Sequence, residues 1–139
     1  MKKGAGTYRT VIESVKNGAV TDRDEVFHEG ECRIETDGEG HIIRAEFDEE
    51  RGAATSLLIR GDNRVDLSRK GEMTSEFRFD PDNMTKAKVD TPYGSMELDL
   101  VTHTAEVISG PSGADIRIGY GFPEAPAQRH MISMSIRFS

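Results

Sequence analysis

The sequence predicts an all-β fold, an antiparallel up-and-down β-barrel of about eight to ten strands. Three observations predict it. Apolar and polar residues alternate with period two over long stretches, turn signals recur at short intervals, and no long segment carries apolar residues at helical spacing. Strands with one apolar face must bury that face and hide their edges, and a closed barrel does both. A β-sandwich is the alternative architecture.

In chain order, residues 1–6 read as a flexible N-terminus and 7–139 as one barrel domain. Asn17-Gly18 is a strong hairpin signal, since both residues tolerate positive φ. On the strand after it, Val26, His28, Gly30, Cys32 and Ile34 share a face. Breaks follow at Asp37–Gly40, Glu50–Gly52 and Gly61–Asn63, and 48–54 has room for one short helix or helical turn.

Alternation is clearest from 65 to 80. Val65, Leu67, Arg69, Gly71, Met73, Ser75, Phe77 and Phe79 share one parity, and every residue of the other parity is polar. Either one long strand bends at Gly71 or two strands meet in a tight turn there. Pro81-Asp82-Asn83 marks the next turn, and Thr91-Pro92-Tyr93-Gly94 another. Pro92 sets φ for the first corner and Gly94 allows a tight exit. Apolar parity switches from odd to even across this motif, so the chain is re-aimed and Tyr93 is placed to plug one barrel end. Met96, Leu98 and Leu100 then alternate until the phase slips to Val101, Ala105 and Val107, which predicts a bulge near 100–104. Gly110-Pro111-Ser112-Gly113 is a turn, then Ile116, Ile118, Tyr120 and Phe122 alternate with polar residues or glycine. After a break at Pro123–Pro126, Ile132, Met134, Ile136 and Phe138 repeat the pattern.

Composition bounds the function classes. Only 35% of the 139 residues are hydrophobic, which suits a sheet with one wet face. The net charge is −7, with lysines and arginines scattered among acids, so neither nucleic acid nor an anionic membrane surface is an expected partner. Cys32 is the single cysteine, which excludes an internal disulfide and a cysteine-rich metal site. The first residues lack the apolar core of a signal peptide. No stretch approaches the ~18 apolar residues of a spanning helix. A cytoplasmic, bacterium-like setting is the expectation.

Parity sorts the interior. Arg69 shares the face of Val65, Leu67, Phe77 and Phe79, so its guanidinium is expected inside the barrel or at its mouth. A charge there is costly unless paired. It is paired by an internal group or by water at a barrel end, or else by an anionic ligand held bidentately. His28 and Cys32 are expected inward, Thr91 and Tyr93 continue the phase of Ala87 and Val89, and Tyr120 and His130 align with apolar neighbours. The candidate ligand-binding set is Arg69, His28, Thr91, Tyr93 and Tyr120. Met73, Met84, Met96, Met131 and Met134 either line an adaptable pocket or fill the core.

Other motifs carry no chemistry. Gly110-Pro111-Ser112-Gly113 lacks the spacing and context of a nucleophile loop. Gly38-x-Gly40 and Gly119-x-Gly121 precede no helix N-terminus. His28, His41, His103 and His130 form no local ligand pair, so no metal or cofactor is implied. Asp48, Glu49 and Glu50 read as a solvated acidic turn.

Several residues together resemble one bacterial family. They are Arg69-Lys70-Gly71, Phe79, Thr91-Pro92-Tyr93-Gly94, Met96-Glu97-Leu98, Thr102 and Ile116-Arg117-Ile118-Gly119-Tyr120, with the final alternating strand. The sequence is similar to the DUF1934, or YwiB-like, family from about Thr7 onward, most specifically at Thr91–Gly94. The resemblance implies a calycin-like barrel, similar in shape to lipocalins, and no activity. Family members often carry a tyrosine-rich strand where this chain has His41–Phe47, so any pocket shaped there differs.

Three functions remain in order of expectation. The first is a barrel that binds a small amphipathic or anionic ligand in its interior. The second is a protein-interaction or structural module with a filled barrel. The third is an enzyme using interior polar residues such as His28 and Arg69, which ranks last because no catalytic constellation is recognisable.

Overall fold

The alternating segments become ten strands in a single closed ring. They are β1 (Lys2–Lys16), β2 (Ala19–Thr36), β3 (Ile43–Asp48), β4 (Ala54–Arg60), β5 (Arg64–Lys70), β6 (Thr74–Phe79), β7 (Thr85–Thr91), β8 (Gly94–Gly110), β9 (Gly113–Gly121) and β10 (Gln128–Phe138). This is a computed structural model, and it describes residues 2–36, 43–48, 54–60, 63–71, 73–110 and 112–138. Side chains are described for all of these but Lys2, Lys3, His28, Thr36, Asp48, Ser109 and Phe138. Each strand is antiparallel to the next, and β1 closes the ring against β10 through pairs such as Gly4↔Phe138 and Tyr8↔Met134. The architecture is therefore a barrel and not a sandwich.

Turn chemistry sets the register. Asn17 (φ 53°) and Gly18 (φ 79°) form a two-residue hairpin whose positive φ values match strand twist. Around Gly71 the chain turns, and β5 and β6 pair as Val65↔Phe79, Leu67↔Phe77 and Arg69↔Ser75. The 65–80 segment is thus two strands and not one bent strand. The phase slip in β8 is a bulge: Tyr120 pairs with Thr102 and Gly119 with Thr104, leaving His103 as the extra residue. The helical turn expected within 48–54 and the turns at Asp37–Gly40 and Glu50–Gly52 lie largely outside the described residues.

Period-two alternation fills the interior. Ile34, Ile43, Phe47, Leu57, Val65, Phe79, Leu100, Ile116 and Ile136 are fully buried in one core. Each side chain of that size contributes about 1.5–3 kcal/mol on burial. Tyr8 meets Phe47 edge-on at 5.9 Å between ring centroids. Phe47 needs space that only glycine leaves on β1, because a Cβ at Gly6 would lie 2.6 Å from its ring.

Three expectations need correction. Residues 2–6 are not a loose terminus: they belong to β1 and pair with both β2 and β10. Val26 does not face the core, because the β1–β2 hairpin outruns the barrel and every residue from Ala19 to Phe27 is exposed. Of the five methionines considered, only Met134 is buried; Met73 and Met84 sit in turns, Met96 starts a strand at the rim, and Met131 has outward parity.

Candidate functional site

Adjacent strands at one register level place three polar side chains side by side inside the barrel. Tyr120 on β9 pairs with Thr102 on β8 and with His130 on β10. Thr102 continues the inward parity of Leu98 and Leu100, and the bulge at His103 follows it, shifting that parity to Ala105 and Val107. All three are buried, Thr102 to 6% and His130 to 7% exposure. The rings of Tyr120 and His130 stack at 4.9 Å with 22° between planes. Phe79 lies 4.9 Å from Tyr120, and Phe122 meets His130 edge-on at 5.2 Å. The row therefore sits in an aromatic box closed by Phe77, whose ring is 6.2 Å from Tyr120.

Arg69 on β5 completes the arrangement. Its guanidinium carbon lies 5.2 Å from the centroid of the Tyr8 ring, a cation–π contact. Its charge also acts on Tyr120. The side chain is half-buried, and its Nε is buried with no protein hydrogen-bond partner. Thr10 Oγ1, Thr102 Oγ1 and His130 Nε2 are in the same condition. Proteins seldom leave such groups unpaired, since each forfeits about 1–3 kcal/mol. Four such atoms on inward-facing positions of β1, β5, β8 and β10 form a concentrated hydrogen-bonding capacity.

Electrostatics fixes the protonation states. Burial pushes the Tyr120 phenol up to about 12, with the Arg69 charge pulling weakly the other way, so it remains a neutral donor. Burial also lowers the His130 imidazole below its ordinary value of 6.5, so it is neutral at pH 7. A neutral imidazole offers one donor and one acceptor. Arg69 is thus the only formal charge among these groups, and the set can hold one anionic head by charge and several hydrogen bonds.

The structure brings together part of the expected set. Arg69 and Tyr120 both take inward positions, and the Arg69 charge acts on the phenol. His28 lies opposite Tyr8 in the β1–β2 register, but its side chain is outside the described residues. Thr91 and Tyr93 do not join. Thr91 Oγ1 donates to the Gly94 carbonyl at 3.0 Å and accepts the Tyr93 N–H at 3.1 Å, which closes the turn. That turn swings Tyr93 out to 99% exposure, so it does not plug the barrel. Sequence reasoning placed His130 inward without adding it to the set. It missed Tyr8 and Thr10, whose parity with Gly4 and Gly6 on β1 was readable, and Thr102, which the bulge concealed. Cys32 is buried as parity predicts, and burial pushes its thiol up, which leaves it unreactive. No group of three or more metal-ligating side chains occurs among the described residues. No described helix is long and apolar enough to cross a membrane.

Comparison with known proteins agrees with this architecture. The crystal structure of the ywiB protein from Bacillus subtilis superposes with a TM-score of 0.72 at 15% identity, covering 100% of this chain and 94% of that one. At that identity the likeness carries the fold alone. None of the curated proteins matches the chain. The model of the family described as "Domain of unknown function (DUF1934)" matches residues 9–134, and the chain belongs to that family.

Proposed function

We propose that this barrel binds a small amphipathic anion, its head held by Arg69 and the Thr102–Tyr120–His130 row, its apolar body against Phe77, Phe79 and Phe122. The observation that carries the reading is the buried Arg69 Nε, which has no protein acceptor while Tyr8 covers the guanidinium face. A carboxylate approaching the edge of that guanidinium would satisfy it bidentately and leave the cation–π contact intact. The unpartnered Thr102 Oγ1 and His130 Nε2 supply further bonds across the barrel.

The polyene fatty acid cis-parinarate and its methyl ester test this by fluorescence titration. The wild type is expected to bind the acid, and Arg69→Gln to weaken it about tenfold or more while changing the ester little. Equal affinity of both variants for the acid, or no binding by the wild type, overturns the reading.

One observation favours the second reading, a module acting through its outer surface. Phe27 on β2 and Ile108 on β8 are 53% and 62% exposed, and both line a groove of about 710 Å³ across the outside of β1, β9 and β10. An empty lipid extract together with a partner protein lost in Phe27→Ser would favour this alternative.

A further inference from the structure

The wall of the barrel is not uniformly laced. β6 pairs with β7 only through Thr74↔Asp90, Ser75↔Val89 and Glu76↔Lys88. Beyond that point β6 continues to Phe79 paired with β5 alone. β7 begins at Thr85 paired with β8 alone. Phe77, Arg78 and Phe79 therefore face Thr85, Lys86 and Ala87 across a seam without a ladder. Among the described residues, a side-chain bond from Thr85 Oγ1 to the Arg78 carbonyl at 2.5 Å spans it.

Both ends of the seam are fixed. The three ladder pairs close one end. The Asp80–Met84 loop closes the other, and Asp80 ties it by accepting the Asp82 N–H at 2.9 Å and the Asn83 side-chain amide at 3.3 Å. The result is a slot three residues long on each strand, about 10 Å. Its position is informative. Among outer-surface features, a groove of about 660 Å³ runs over it and is lined by outward Arg78, Lys86 and Lys88, but also by Leu67, Phe77 and Thr85, which have inward parity. Phe77 belongs to both sides: it lines this groove, and its ring packs against Tyr120 inside the barrel.

Phe77 stands between the groove and the polar row. It is half-buried, and its ring lies 6.1 Å from Phe79, 6.2 Å from Tyr120 and 6.4 Å from Phe122. It is held by neighbouring rings and by no hydrogen bond, so a rotamer change would open the passage. The charges at the mouth are largely matched: Arg78 pairs with Asp66 at 3.5 Å, and Lys86 with Asp99.

We infer that the β6–β7 seam, gated by Phe77, is the route by which an amphipathic anion enters and leaves the interior. This rests on the interior binding proposed above. Stopped-flow kinetics with cis-parinarate tests it in Arg78→Cys/Lys86→Cys on a Cys32→Ala background. The two thiols are joined by a short homobifunctional reagent, and the same protein with each thiol singly alkylated is the reference. Crosslinking is expected to slow association and dissociation together by about tenfold or more, with Kd kept within about twofold. Phe77→Ala in the uncrosslinked protein is expected to accelerate association, the rate that loss of a contact to the bound ligand would not raise. Unchanged rates after crosslinking, with Arg69-dependent affinity retained, overturn the seam as the route while leaving the interior site standing. No cis-parinarate binding by the wild type overturns the interior site and the seam with it.

Discussion

The wall from β2 to β5 and the row across β8 to β10 are built from the same alternating strands, yet they differ in what they bury. The first presents Ile34, Ile43, Ala45, Phe47, Leu57, Ile59 and Val65 to the interior, packed around Phe47, and its polar side chains there include Thr55 and Arg69. The second interrupts its apolar series with Thr102, Tyr120 and His130, two of which keep a buried atom without a protein partner. Arg69 apart, the first wall is arranged for stability, and the second leaves some of it unrealised in its unpaired polar atoms.

Substitutions can break this contrast or sharpen it. The largest effect is expected in the packed wall. Phe47→Ala removes a ring touched by Tyr8 and Gly6, and urea unfolding should show a loss of about 4 kcal/mol. Next comes pH. The folded protein holds His130 neutral while the unfolded chain takes a proton below 6.5, so stability is present above that pH and falls as pH drops through the lower folded value. The unfolding free energy from urea titrations should fall more steeply on acidification in the wild type than in His130→Phe, by at most about 1.4 kcal/mol per pH unit. Thr102→Val removes an unpaired buried hydroxyl. It should leave stability unchanged or raise it by about 1 kcal/mol, while weakening cis-parinarate binding. A loss of stability would mean that the hydroxyl is satisfied, and the contrast would fail. The smallest effect is reserved for Tyr93→Ser, which should stay within about 0.5 kcal/mol in the same assay because the ring touches little.

Much of the fold was legible because each strand carries its own period-two record. Parity alone sent Arg69, Cys32, Tyr120 and His130 inward, and the phase slip placed a bulge within 100–104, where the structure has it at His103. The site was legible only in part, for two physical reasons. Parity is kept along a strand but not through a turn. Tyr93 continued the series of Ala87 and Val89 on paper, whereas the turn closed by Thr91 Oγ1 ends the strand before it. Parity also says nothing about level, meaning which inward residues share a height in the barrel. The row of Thr102, Tyr120 and His130 exists because three strands align at that height. No pattern within one strand encodes that. The seam was equally hidden, since β6 and β7 both alternate normally beside it.

Closure of the ring through β1 and β10 has a consequence for how the barrel comes into being. The β1–β2 hairpin, turned at Asn17-Gly18, is local and can form in microseconds. Its outer edge, however, waits for a strand that emerges from the ribosome more than a hundred residues later, at Gln128–Phe138. Through that interval β1 offers a row of unpaired amides and carbonyls to any neighbouring chain. Gly4 and Gly6, needed in the finished barrel to admit Ile34 and Phe47, also make that waiting edge poor in apolar side chains. The same two positions that let the core close thus reduce the hazard of its being open.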